Sequence, residues 1–167
     1  RDELDELADA TGERAQFAMI EANSAVVVYR AMGPDAIKAS ENVGEYGYLH
    51  CTAVGKAMLA YLPEHRIDTI IDQHGLPKHT ENTITDAEEL KTSLNTVRER
   101  GYAVDDEERV RGVRCIGTPI RDEQGRVLGG ISISGPARRM PDERITSDFL
   151  DPLLRTANVI EVNAKLS

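Results

Sequence analysis

The chain has 167 residues, with 20 Lys plus Arg against 29 Asp plus Glu, and a formal net charge of −9. Hydrophobic residues at 40% and charged residues at 29% exclude a disordered tail, and no apolar run approaches the roughly 20 residues of a membrane span. The acidity argues against a nucleic-acid-binding chain, since polyanions are held by clustered Lys and Arg, and Arg98/Arg100 and Arg109/Arg111/Arg114 are flanked by acids.

Residues 2–10 place Leu4, Leu7 and Ala8 at helical spacing, and Thr11-Gly12 ends that helix. Strand-like segments follow over 15–21 and 25–30, with Asn23-Ser24 as the turn of a hairpin. Gly33-Pro34 breaks the second strand. Residues 36–39 are read as a third strand, and 42–48, with Gly44 and Gly47, as a loop. Residues 52–61 turn helical, with Val54, Ala57, Met58 and Tyr61 on one face. A second helix begins near Pro63, carries Ile67, Ile70 and Ile71, and stops at Gly75 and Pro77. Thr85-Asp86-Ala87-Glu88 is a capping box for a helix that runs to Gly101, with Ala87, Leu90, Leu94 and Val97 inward. A strand restarts over 102–105. Segments 114–121 and 126–134 form a hairpin around Asp122-Glu123-Gln124-Gly125. The last helix runs over 142–164, with Ile145, Phe149, Leu153, Ala157 and Ile160 as its buried stripe. Antiparallel pairs with helices inserted between them make an α+β pattern in one domain over 1–167.

The N-terminal Arg-Asp-Glu-Leu-Asp-Glu-Leu is too acidic for a signal peptide. Cys51 and Cys115 stand far apart, so they read as reduced thiols of a cytoplasmic protein. Acidic surfaces keep proteins soluble and, at the extreme, are a habit of halophiles; composition does not choose between these.

The most informative segment is 127–135. Strand alternation puts Ile131 and Ile133 on one face, and Gly130, Ser132 and Ser134 on the other. If the hairpin loop pairs Arg121 with Arg126, Gly117 faces Gly130 and Cys115 faces Ser132. Cys115, Gly117, Gly130, Ser132 and Ser134 then form a polar, side-chain-poor patch, the floor of a small pocket. The competing reading is close packing of the glycines against a helix. Thr52 caps the next helix and leaves the amides of Ala53 and Val54 free for an anion. Asp105 shares a strand face with Ala103, so it points inward although the run Asp105-Asp106-Glu107-Glu108 otherwise reads as a solvated turn.

Together these segments resemble the C-terminal effector-binding domain of the IclR family of transcriptional regulators. The blocks are Leu49-His50-Cys51-Thr52-Ala53-Val54-Gly55-Lys56-Ala57-Met58-Leu59-Ala60, Gly101-Tyr102-Ala103-Val104-Asp105-Asp106-Glu107-Glu108, Gly112-Val113-Arg114-Cys115-Ile116 and Ile131-Ser132-Ile133-Ser134-Gly135-Pro136. The resemblance implies a curved antiparallel sheet with flanking helices, of GAF or profilin type. It implies a winged helix-turn-helix outside these residues, through which alone DNA is bound, and assembly into homodimers or tetramers. It also implies a small-acid effector held by the amides of Ala53 and Val54, by Asp105 and Cys115, and by Ser132 and Ser134. Ala53-Val54 is bulkier than the Gly-Ala of some members, which alters the pocket outline.

Three other functions compete. A Cys-dependent enzyme would use Cys115, or Cys51 with His50; adjacent residues rarely point together, so no catalytic residue is assigned. Zinc would need clustered ligands from Cys51, Cys115, His50, His74 and His79. Only His74 and His79 are neighbours, in a loop that reads as solvated, so no metal ligand and no cofactor is assigned. An oligomerisation module would need no pocket at all.

Overall fold

A computed structural model describes residues 1–39 and 41–167. Its centre is a six-stranded sheet of β1 (Arg14–Glu21), β2 (Ser24–Met32), β3 (Tyr46–Gly47), β4 (Ala103–Asp106), β5 (Val113–Arg121) and β6 (Val127–Pro136). The strand order is β3-β2-β1-β6-β5-β4, and every pairing is antiparallel. Helices α1 (Asp2–Thr11) and α6 (Leu150–Leu166) cover one face. Helices α2 (Ala53–Leu59), α3 (Glu64–His74) and α4 (Ala87–Arg100) cover the other.

The alternation of β5 and β6 supplies the core on one face of the sheet. Ile116, Ile120, Ile131 and Ile133 pack with Leu4, Leu7, Phe149 and Leu153. On the opposite face Ala18, Val54 and Met58 pack with Ile67, Leu90, Leu94 and Val97. Each such side chain, fully buried, contributes about 1.5–3 kcal/mol of transfer free energy. The stripe Ile145, Phe149, Leu153 and Ala157 is buried, with Ile160 packed at its end. The helix that carries it is not uniform: α5 (Asp142–Arg144) leads into a π turn over Ile145–Phe149 before α6. Pro152, which has no N–H for the helix ladder, sits just beyond that turn.

Four local expectations need correction. Residues 36–39 form no strand. Gly33 and Asp35 donate to the carbonyls of Glu13 and Gly12, and Arg14 Nη1 takes the Ile37 carbonyl, so the segment is tied to the start of β1 rather than to a strand edge. The outer strand is β3, inside the expected 42–48 loop, brought back onto β2 by the Gly44 amide on the Val27 carbonyl. The first hairpin turns at Ala22-Asn23, both at positive φ (51° and 60°), as a two-residue I′ turn requires.

The fourth correction is the β5–β6 register. Asp122 closes the loop by taking the Gln124 and Arg126 amides on Oδ1, and a bulge follows between Ile120 and Arg121. Cys115 therefore faces Ser134 and Gly117 faces Ser132, two residues away from the expected pairing. A two-residue shift preserves the faces, where one residue would have reversed them.

Candidate functional site

Two rows of residues cross the sheet beneath α2. Asp105, Cys115, Ser134 and Arg14 are successive cross-strand partners on β4, β5, β6 and β1. Ala103, Gly117, Ser132, Gln16 and Arg30 form the next row. With strands about 4.8 Å apart, one row brings four polar side chains from distant segments onto one floor.

Helix α2 is the roof. Thr52 is extended, and its Oγ1 accepts the Gly55 amide at 3.1 Å while its carbonyl takes the Lys56 amide. The amides of Ala53 and Val54 precede these and have no acceptor within the helix. A Cβ on Gly117 would lie 2.8 Å from the Ala53 carbonyl carbon, and one on Gly130 2.9 Å from Val54 Cγ2. Both expected roles of the small-residue face are therefore realised, by different residues. The glycines let α2 lie down on the sheet, and Cys115, Ser132 and Ser134 line the space left beyond its first turn.

That space is a cavity of about 60 Å³. All six residues singled out from the sequence line it: Ala53, Val54, Asp105, Cys115, Ser132 and Ser134. Val27, Val110 and Val113 supply apolar walls. Arg14, Gln16, Glu41, Tyr48 and Arg109 also line it and were not foreseen. For Arg14 and Gln16 a signal existed, because two polar residues at strand spacing on β1 share the face that meets the serines. Glu41, Tyr48 and Arg109 arrive from loops and left no such signal.

Arg14 is 7% exposed. Its Nη1 donates to the Ile37 carbonyl at 3.0 Å, its Nε is buried with no partner among the described residues, and burial draws its pKa below the ordinary guanidinium value. Arg109 pairs with Glu41 at 3.1 Å and lies over the Tyr48 ring. Asp105 is 3% exposed and accepts the Glu108 amide at 2.7 Å. Burial pushes its pKa up to about 7, with the Glu108 charge adding to the rise and Lys56 opposing it. Of the rest of the acidic run, Glu108 is buried too and holds the buried Lys56 Nζ with both carboxylate oxygens at 2.8 Å, whereas Asp106 is exposed.

Burial raises both thiols, Cys51 to about 12 and Cys115 further still. Contrary to the sequence expectation, His50 and Cys51 do point together, and His79 joins them; Cys115 and His74 do not. Burial lowers the His50 pKa and holds Cys51 as a thiol, which is the opposite of an activated nucleophile.

Six antiparallel strands between two helix layers, with a polar cavity under the start of one helix, define an α+β domain built around a pocket. The family model described as Bacterial transcriptional regulator IclR C-terminal matches residues 1–162, and the chain belongs to the IclR family as its C-terminal domain. It is 32% identical over 165 residues to the probable transcriptional regulator ArcR of Halobacterium salinarum, covering 97% of this chain and 63% of that protein. It is 35% identical over 144 residues to the transcriptional regulator BhcR of Paracoccus denitrificans, covering 86% and 52%. The chain thus spans only about half to two-thirds of these relatives, which are transcriptional regulators and not enzymes.

Among solved structures, the IclR of Thermotoga maritima superposes with a TM-score of 0.91 at 34% identity, covering 97% of this chain and 65% of that one. The C-terminal domain of Escherichia coli KdgR gives 0.86 at 31% identity, covering 96% and 93%. A double mutant of the PobR inducer-binding domain from Acinetobacter, in complex with 3-hydroxybenzoic acid, gives 0.85 at 25% identity, covering 96% and 94%.

Proposed function

We propose that residues 1–167 are the sensing unit of a transcriptional regulator, and that the cavity takes a small organic acid. Arg14 carries this reading: a cation sits in the cavity floor with a buried Nε that lacks a partner among the described residues. Arg109 is paired with Glu41, and Asp105 is largely protonated below pH 7. A carboxylate would meet Arg14, the Ala53 and Val54 amides, and the hydroxyls of Ser132 and Ser134. A cavity of about 60 Å³ is well below the roughly 150 Å³ that accepts benzene. The ligand expected there is a small aliphatic acid, whereas the aromatic acid bound to the PobR domain would need a wider pocket. Different affinity for two arrangements of the domain would then bias DNA binding by a winged helix-turn-helix outside these residues, in the cytoplasm. Among the described residues no helix is long and apolar enough to cross a membrane.

The test is thermal shift and calorimetry with glycolate, pyruvate, oxalate and succinate. Saturable stabilisation by at least one acid is expected, lost in Ser132→Ala/Ser134→Ala and in Arg14→Met. No shift with any acid, or a shift unchanged in both variants, overturns the reading.

Assembly into a homodimer or tetramer is the second part of the proposal. Strand β2 has 9 residues and its outer neighbour β3 only 2, and Val28 and Met32 on β2 are exposed. Light scattering after gel filtration should give a mass of two or four chains; a monomer at micromolar concentration refutes it.

A further inference from the structure

His50, Cys51 and His79 line no part of the effector cavity, yet one ligand atom from each lies within 4.8 Å of the others. Cys51 is 0% and His50 4% exposed. His50 Nε2 is 2.9 Å from the Pro77 carbonyl oxygen. A carbonyl only accepts, so Nε2 carries the proton and Nδ1 keeps the lone pair. Metal-binding imidazoles are held this way, one nitrogen on the metal and the other donating to a backbone oxygen.

His79 supplies the second sign of a ligand. Its Nε2 is buried and has no partner among the described residues, which is costly unless something binds it. Its backbone is held in place. The His79 amide donates to Thr83 Oγ1 at 3.0 Å, Thr83 Oγ1 donates to the Glu108 carbonyl at 2.6 Å, and the Tyr48 ring lies 4.4 Å from the imidazole. The loop is exposed over 72–75 and 77–78, as its glycine and proline suggest, but His79 at its end is half-buried.

We propose that His50, Cys51 and His79 bind a single zinc ion, leaving a fourth position open. Two imidazoles and one thiolate are a donor set that zinc takes in tetrahedral sites. Binding forms one Zn–S and two Zn–N bonds, and the Cys51 thiol proton passes to solvent. Zinc bonds of about 2.0–2.3 Å require the three ligand atoms to draw in by about 1 Å; His79, the least enclosed, supplies most of that movement. The ion would pin the two residues just before Thr52, and through that cap the amides of Ala53 and Val54 in the neighbouring cavity.

Chelator-treated, reduced protein should be titrated with Co²⁺ as a spectroscopic stand-in, then with Zn²⁺. One equivalent of Co²⁺ should produce a thiolate-to-cobalt charge-transfer band and the strong visible bands of a tetrahedral site, both erased by one equivalent of Zn²⁺. Cys51→Ser should lose the charge-transfer band, His79→Gln should weaken Co²⁺ binding at least tenfold, and Cys115→Ser should change neither. His79→Gln changes a half-buried position at the end of an exposed loop and tests the site even where Cys51→Ser fails to fold; circular dichroism checks each. The proposal is overturned by absence of the band in the wild type at excess Co²⁺. It is equally overturned by a band and affinity unchanged in His79→Gln.

Discussion

Asp105 on β4 stands directly opposite Cys115 on β5, and both are buried in the cavity floor. A buried carboxyl beside a thiol and away from water resists ionisation, and its pKa rises from the ordinary 3.8 to about 7. The folded chain therefore binds more protons than the unfolded chain between these values. Stability should fall as pH rises from about 4 to about 7 and level off above that, a contribution of at most about 4 kcal/mol. In Asp105→Asn that slope should flatten. Urea denaturation at pH 5 and pH 8 measures it; equal slopes in variant and wild type would contradict the assignment. Affinity for an anionic ligand should decline over the same rise, because the ionised carboxylate repels it.

Lys56 and Glu108 form the buried ion pair that supports Asp105 from behind. Removing one partner strands the other, so Lys56→Met should cost roughly 3–5 kcal/mol. Lys56→Met/Glu108→Leu should cost less than the two single changes added together. Chemical denaturation of the three variants closes the cycle, and simple additivity would show that the pair is not coupled.

Gly117 holds α2 against the sheet. A methyl group there meets the Ala53 backbone at under 3 Å, and backbone cannot rotate away. Gly117→Ala should lose about 1–3 kcal/mol and weaken acid binding more than Gly12→Ala does, since Gly12 ends α1 and does not line the cavity. Thermal shift with and without ligand separates the two effects. Equal loss of binding in both variants would remove Gly117 from the cavity's support.

Neither cysteine should react as a catalytic thiol. Burial raises both pKa values far above neutrality, so iodoacetamide labelling of the native, metal-free chain should be slow at pH 7 and become fast only on unfolding. Rapid labelling of Cys115 at neutral pH would reopen the enzymatic reading.

Much of the architecture was legible in residue order, because the forces concerned are local. Thr52 caps the helix that follows it, its side chain accepting the amide three residues on, whereas the box expected to open at Thr85 opens one residue later, with Asp86 accepting the Glu89 amide. The periods of 2 and 3.6 placed Ile131 and Ile133, and then Ile145, Phe149 and Leu153, against one core. Side-chain alternation put Ser132 and Ser134 on a common face and an assumed hairpin pairing brought Cys115 to it; the Thr52 cap and the strand face of Asp105 offered Ala53, Val54 and Asp105, and the family resemblance joined all six into one site.

What alternation cannot supply is the partner across the ladder. The bulge after Ile120 moved Cys115 from Ser132 to Ser134, and only the β1–β6 pairing set Arg14 beside that serine. Arg14 and Ser134, like Cys51 and His79, are remote in sequence and meet only because the chain returns. Local conformational preference decided the faces of strands and the ends of helices. Strand register and loop return, which depend on long-range pairing and packing, decided which of those faces became a pocket, and brought three scattered metal-type ligands to one point.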